Sequence, residues 1–453
     1  MPPLIDSVVV LGLVLIIARF VKRGSHTLQQ FFIPSALAAG LAGLLLGPQL
    51  ISVIPESVTS YWATFPKYLI TVVFAGLFLG RFIPSRKKIW QQAGPMIAFG
   101  STMAWAQYVL GILLVLLFLA PVFDVNPLAA SLIEISFAGG HGTAAGLAPT
   151  FEKLGWSEGT DVALGLATVS IVTAVATGIL FVNIHHRRHR HSVDATLWKL
   201  QQKQAIRGGY NLIRFSEKIT VRPSSVIINI LAFAAAIAIG WAILKALQIS
   251  EEWILSSVTE ARFFAYVPLF PLAMIGGLIV QLVLKKFKKQ HFIQRRTAEI
   301  ISAIALDLLI VSAIATVSLN TISSNLPIFI TFAVAGIAFI IACFFVLAPR
   351  MFASHWFERG MTDYGQAMGM TATGLLLNRL VDPVNRLKIR EAFAYKQLIF
   401  EPFMGGGLVT ATAVIFMFEF GLIPVLVFSI IAMIFWLVVG LRLGKSHHHV
   451  LDH

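Results

Sequence analysis

Residues 137–146 read Phe-Ala-Gly-Gly-His-Gly-Thr-Ala-Ala-Gly, four glycines in ten residues, inside an otherwise apolar stretch. Each glycine in a helix interior costs about 1 kcal/mol relative to alanine, so a continuous helix is not expected here. At membrane depth, non-helical backbone survives only where protein buries it or where it lines a watery cavity. A partner stands far along the chain at Met368–Gly374, Met-Gly-Met-Thr-Ala-Thr-Gly. Aligned on Thr143 and Thr371, the two stretches share Thr-Ala-x-Gly, with Gly146 over Gly374. Paired glycine-broken segments in two halves of a membrane chain point to a transporter's binding site. Close helix packing is the competing reading. It explains a spaced pair of glycines better than a Gly-Gly-His-Gly run.

The rest of the chain supplies the membrane setting. Of 453 residues, 57% are hydrophobic and 12% charged, and the mean hydropathy is +0.82. Soluble domains carry about 25% charged residues. The apolar segments are helix-length, unlike the ten-residue alternation of a membrane β-barrel. The net charge of +14 would suggest nucleic acid in a soluble protein. Here the basic residues cluster between apolar spans, the positive-inside pattern, and no nucleic acid partner is expected. The single cysteine, Cys343, excludes an intramolecular disulfide framework and reads as a small apolar helix residue. Leu4–Phe20 lacks a basic n-region and is expected to be retained as a first span.

Spans of about 20 apolar residues then follow. The first half gives Leu4–Phe20, Phe31–Ile51, Tyr68–Ile83, Pro95–Leu119 and Thr160–Val182. The second gives Val226–Leu247, Phe264–Leu284, Ala298–Ser318, Pro327–Leu347, Tyr395–Phe418 and Leu422–Leu441. The basic segments at Lys22, Arg86–Lys88, Arg187–Arg222, Lys285–Lys289, Arg350–Arg359 and Arg379–Arg390 belong in the cytoplasm. Loops with Glu56, Asp124 and Glu251 belong outside. One threading satisfies all of these: N-terminus outside, about eleven full spans, C-terminus inside, and each glycine segment returning to the side it entered from.

The expected fold is therefore an all-α polytopic membrane protein of two inverted repeats. Each repeat holds about five transmembrane helices and a re-entrant loop. Residues 1–182 form the first repeat, with its re-entrant segment at 127–149. Residues 183–222 form a basic, His-rich cytoplasmic linker, whose histidines lack ordered ligand spacing. Residues 223–418 form the inverted repeat, with its re-entrant segment at 361–379. Residues 419–453 add a further helix and a cytoplasmic tail.

Several residues could carry chemistry. Freed N–H groups near Gly139, Gly140 and Gly142 could face an anion. Exposed carbonyls and the hydroxyls of Thr143, Thr371 and Thr373 could hold sodium. His141 is either functional, the default for an ionisable residue at membrane depth, or a neutral histidine hydrogen-bonded to backbone. Asp307, deep in an apolar helix, favours a cation or polar-cavity role over a structural ion pair, and Asp363 enters the second break. Arg379 leaves it, either pairing with a substrate carboxylate or anchoring topology. Asp161 reads as a first-turn acid, and Glu134 is open. Gly405-Gly406-Gly407 allows a bend or close packing beside a break.

Gly-Gly-His-Gly-Thr at Gly139–Thr143, Ile-Pro-Ser-Ala-Leu-Ala-Ala-Gly at Ile33–Gly40 and Met-Thr-Ala-Thr-Gly-Leu-Leu-Leu-Asn-Arg-Leu-Val-Asp-Pro at Met370–Pro383 resemble the bacterial sodium/glutamate symporter family. The resemblance spans both halves. It implies sodium-coupled glutamate uptake at the cytoplasmic membrane, with sodium as coupling ion and no other cofactor. It also implies a fold related to the sodium/citrate symporters, an elevator-type movement and a dimerisation scaffold, hence a homodimer. Gly139, Gly140, Gly142, Thr143, Thr371 and Thr373 would then lie at the substrate and sodium sites. The long His/Arg-rich linker, the terminal helix and Gly-Gln-Ala-Met-Gly-Met in the second break depart from the family pattern. A carrier of another organic anion, coupled to protons or sodium, remains an alternative. An intramembrane enzyme built on His141 has no nucleophile–base pair or metal motif behind it. A channel lacks a charged ring along a pore.

Overall fold

A computed structural model describes residues 3–25, 34–188, 223–255, 263–383 and 385–451. Among these there is no strand. The first half runs through α1 (Pro3–Gly24), α2 (Ser35–Leu46), α3 (Glu56–Trp62), α4 (Phe65–Ala75) and α5 (Arg86–Leu114). Ser85 caps α5 by accepting from the Lys88 N–H. A π turn, Val115–Leu119, carries α5 on to Phe123. After a 3-10 turn at Pro127–Ser131 come α6 (Leu132–Ser136), α7 (Gly140–Gly146), α8 (Ala148–Lys153) and α9 (Glu158–Arg188). The second half has α10 (Pro223–Leu255), α11 (Phe263–Tyr266), α12 (Leu269–Lys286), α13 (Arg295–Ala315), α14 (Leu319–Ser324) and α15 (Leu326–Met351). It ends with α16 (Trp356–Ala367), α17 (Thr371–Val381), α18 (Ile389–Phe400), α19 (Leu408–Phe420) and α20 (Leu422–Leu451).

Among the described residues, eight helices are long and apolar enough to cross a membrane: α1, α5 with its extension, α9, α10, α12, α13, α15 and α20. These are eight of the eleven spans expected from sequence. In the other three, Phe31–Ile51, Tyr68–Ile83 and Tyr395–Phe418, the described residues form short or interrupted helices instead of one continuous helix. α2 stops before Gly47-Pro48, a pair that does not continue a helix. α4 ends at Gly76, and Gly80 then turns the chain at φ +70° against the Arg295 backbone. The third is cut between α18 and α19 by Glu401–Gly407. The linker expected at 183–222 begins as the last turns of α9; its residues from 189 onward lie outside those described.

One group of helices is held by small residues at close approach. α2 lies on α13, where a methyl at Gly40 would stand 2.7 Å from Ile314 Cβ and one at Gly43 2.8 Å from Ala315 Cβ. α12 lies on α4 and α10, with Gly277 against the Ala75 carbonyl and Gly276 against that of Ala236. α4 and α13 also touch. The second expected span of each half (α2, α12) thus rests on the third of the other (α13, α4). Such contacts gain van der Waals packing, the main attraction available between helices in lipid.

A second group surrounds α5, which contacts α15, α16, α18 and α20. α16 and α17 run back along each other as a hairpin: a methyl at Gly365 would stand 2.9 Å from Gly374 Cα. Phe344 on α15 joins Phe181 on α9 and Trp356, Phe357 and Tyr364 on α16, fixing the hairpin's open end. The outer faces are apolar and bare, as at Phe20 (64% exposed) and Ile423 (65%), which suits a lipid surround.

Candidate substrate and cation site

Three interruptions converge in this second group. The first lies between α6 and α7. The Gly139 N–H reaches the Glu134 carbonyl at 2.9 Å, and Gly140 then takes φ +69°. That region is open to glycine and costly for other residues. A methyl at Gly140 would stand 2.6 Å from the Gly369 carbonyl oxygen, so the first break sits directly on the second. The second break is Met368–Met370, the tip of the α16–α17 hairpin, with Met370 extended. The third is Glu401–Gly407, where Gly405 and Gly406 take φ +65° and +102°. A methyl on Gly406 would stand 2.4 Å from Thr143 Oγ1. The glycine run at 405–407 therefore does more than permit a bend: it forms a break that closes on the first one.

Buried polar groups tie the three breaks together. Glu134, 0% exposed, is the hub between the first and third. Its Oε1 accepts from the Gly405 N–H at 3.0 Å and the Thr410 hydroxyl at 2.9 Å; its Oε2 accepts from the Tyr108 hydroxyl at 2.8 Å. Three donors compensate the loss of water around this carboxylate. Thr143 donates to the Gly139 carbonyl at 3.0 Å, closing the turn that precedes it. His141 Nε2 lies 2.9 Å from Thr168 Oγ1. Thr168 donates its hydroxyl proton to the Leu164 carbonyl, so His141 Nε2 donates and Nδ1 is a bare acceptor, buried without a partner.

Two further clusters surround the second break. Lys396 Nζ pairs with Asp363 Oδ1 at 2.6 Å and also donates to Gln366 Oε1, with both members of the ion pair buried. The ammonium lies 4.2 Å from the Phe400 ring centroid, a cation–π contact. Gly100 on α5 leaves room for it: a methyl there would stand 2.6 Å from Nζ. One turn on, the Thr371 hydroxyl donates to Glu401 Oε1 at 2.6 Å. Gln397 Nε2 donates to the same oxygen at 2.8 Å and to Thr371 Oγ1.

The residues singled out from sequence fall into two sets. Gly139, Gly140, His141, Thr143, Thr371 and Thr373 meet at the junction of the breaks; Thr373 packs on Gly369. Gly142 belongs to the same turn but faces Ile70 and Leu306 on α4 and α13. Arg379 lies elsewhere. α17 rises about 12 Å between Thr371 and Arg379, which puts the guanidinium at the open end of the hairpin near Arg390. Asp307 is also away from the breaks, in an ion pair with Arg19 of α1. Asp363 is beside the second break, where the cation it meets is Lys396. Asp161 sits in the first turn of α9, as expected, and accepts from the Ser318 N–H.

Lys396, Gln397, Glu401, Tyr108, Thr168 and Thr410 were not anticipated. For Lys396 and Glu401 a signal existed: both are charged residues next to or within an apolar segment, Tyr395–Phe418, read as a span. For the others no local signal exists, because their partners are distant in sequence.

A multi-pass helical membrane protein with a buried polar centre at converging helix breaks has the architecture of a secondary transporter. The sequence model of one such family, the sodium/glutamate symporters, matches residues 3–373, and the chain belongs to that family. No curated protein and no solved structure matches it.

Proposed function

We propose that the protein carries glutamate across the bacterial cytoplasmic membrane in symport with sodium. Membership of the symporter family supports the substrate and the ion. The observation that carries the reading is the contact between Gly140 and the Gly369 carbonyl, two breaks remote in sequence closing on one buried polar centre. Substrate carboxylates bind the freed N–H groups at the start of α17 and the hydroxyl of Thr373, beside Thr143 and Thr371, whose hydroxyl protons are held by the Gly139 carbonyl and Glu401. The bare Nδ1 of His141 accepts from the substrate's ammonium group. Gly139, Gly140 and Gly142 keep the backbone accessible, and Arg379 draws carboxylates to the mouth of the hairpin.

Two inverted repeats, 1–182 and 223–418, are part of this reading, with 127–149 and 361–379 entering from opposite faces. The reciprocal packing of α2 on α13 and α12 on α4 supports it, as does the return of α16 along α17. The N-terminus lies outside and the C-terminus in the cytoplasm, residues 183–222 link the repeats, and 419–453 add a helix and tail. Elevator movement of the body holding the breaks, and a homodimer, rest on likeness to the family.

Counterflow in proteoliposomes tests the function. Glutamate uptake should require an inward sodium gradient and collapse when choline replaces sodium. Uptake driven equally well by a proton gradient would replace sodium as the coupling ion, and preference for citrate over glutamate would replace the substrate.

A further inference from the structure

Gln397 and Glu401, at the end of α18, lie beyond residues 3–373, the part matched by the family, and meet Thr371 within it. Thr371 and Gln397 both donate to Glu401 Oε1. The other carboxylate oxygen, Glu401 Oε2, and the amide oxygen, Gln397 Oε1, are buried and meet no donor. Gln397 is only 2% exposed. Lys396, next in the chain, is committed to Asp363 and Gln366 on the hairpin. Among the described residues no cation forms an ion pair with Glu401; the Lys396 ammonium acts on it only through space, while bonded to Asp363 and Gln366.

We propose that Glu401, Gln397 and Thr371 form the binding site of the coupling cation, a hard monovalent ion of sodium's class. The proposal rests on the carrier reading above. A buried carboxylate oxygen and a buried amide oxygen that meet no donor are two hard oxygen ligands suited to a cation. The cluster also stands where helix geometry favours a cation: α18 ends at Phe400, so Glu401 lies at the negative end of its dipole.

Thr371 links this site to the substrate. It is the first residue of α17, whose unpaired N–H groups favour an anion. Without a cation, Glu401 is a negative charge touching Thr371, and it repels an arriving carboxylate. With a cation bound, that charge is neutralised and the start of α17 is free to take the anion. The order of binding follows: cation first, substrate second. Coupling then resides in one residue's charge, with no need for a separate gate.

Thermal unfolding of the purified full-length chain tests the proposal, with sodium chloride exchanged for choline chloride at constant ionic strength and no glutamate present. The wild type should be stabilised by sodium. Glu401→Gln should raise the half-saturating sodium concentration at least tenfold, and Thr371→Val several-fold. Glu299→Gln, whose partner Arg295 lies on the surface, should leave it unchanged. In Glu401→Gln, stabilisation by glutamate should no longer depend on sodium. Wild-type sodium responses in Glu401→Gln and Thr371→Val would overturn the site while leaving sodium-driven uptake standing. A wild-type chain indifferent to sodium would overturn the site and the coupling together. Should Glu401→Gln not fold, the sodium response of Thr371→Val decides alone.

Discussion

Gly140 places its Cα so close to the carbonyl of Gly369 that an added methyl would stand 2.6 Å from that oxygen. The two residues belong to breaks more than two hundred positions apart, and neither break can shift without the other. Gly140→Ala therefore has two costs. Left-handed backbone costs about 1–2 kcal/mol, and the clash must in addition force the hairpin tip away. Glutamate uptake in proteoliposomes should fall by at least tenfold, with insertion and folding retained by size-exclusion chromatography.

The third break offers an internal comparison. Gly155 and Gly406 both have positive φ, but a methyl at Gly155 meets nothing within 4 Å, whereas one at Gly406 meets Thr143 Oγ1 at 2.4 Å. Gly155→Ala should lose about 1–2 kcal/mol through backbone strain alone. Gly406→Ala should lose more and impair uptake. Chemical denaturation of both variants, read beside uptake, checks the ranking.

Lys396 and Asp363 form a buried ion pair, and removing one partner strands a charge. Lys396→Met and Asp363→Asn should each destabilise the protein by about 3–5 kcal/mol. The pair Lys396→Met with Asp363→Leu should recover most of that loss, because replacing both members with apolar groups of similar volume is often near neutral. A double-mutant cycle by thermal unfolding measures the coupling. Transport activity need not return with stability.

Glu134 accepts from three donors on two different segments. Glu134→Ala leaves the Gly405 N–H and the Thr410 and Tyr108 hydroxyls without their acceptor. Each unsatisfied buried group costs about 1–3 kcal/mol. Glu134→Gln keeps the shape but turns an amide donor toward at least one of these donors. Both variants should loosen the third break, read as faster hydrogen exchange at Gly405 and Gly406, with Ala the more severe.

Sidedness is open to direct measurement. Single cysteines at Glu56 and Lys87, in a Cys343→Ala background, should label from opposite faces of sealed vesicles, Glu56 from outside. Cys343 itself is buried in α15, so its replacement should be mild.

The sequence was most readable where one residue type carries the structural cost. Gly139 and Gly140 interrupt the helix, with Gly140 at φ +69° where α7 begins. Eight of the expected spans are continuous helices because their apolar runs are long and free of interruption. The other three share a cause: hydropathy averages over glycine and proline, so the interruptions at α2, α4 and the α18–α19 pair do not show in it. The site was half legible. Thr143 and Thr371 announce themselves as hydroxyls in broken helix. Glu134, Gln397 and Glu401 acquire their roles only from neighbours such as Tyr108, Thr410 and Thr371, which no spacing rule connects to them. Asp307 was legible only as one of two options: its depth in an apolar run admits a cation site or an ion pair, and the structure pairs it with Arg19 from the first helix.

At Gly365 and Gly374 the two arms of the α16–α17 hairpin touch backbone to backbone, with no side chain between them to act as a bearing. With the Asn378–Thr362 hydrogen bond nearer the open end, this contact ties the arms into one unit, whose tip at Met368–Met370 rests on Gly140.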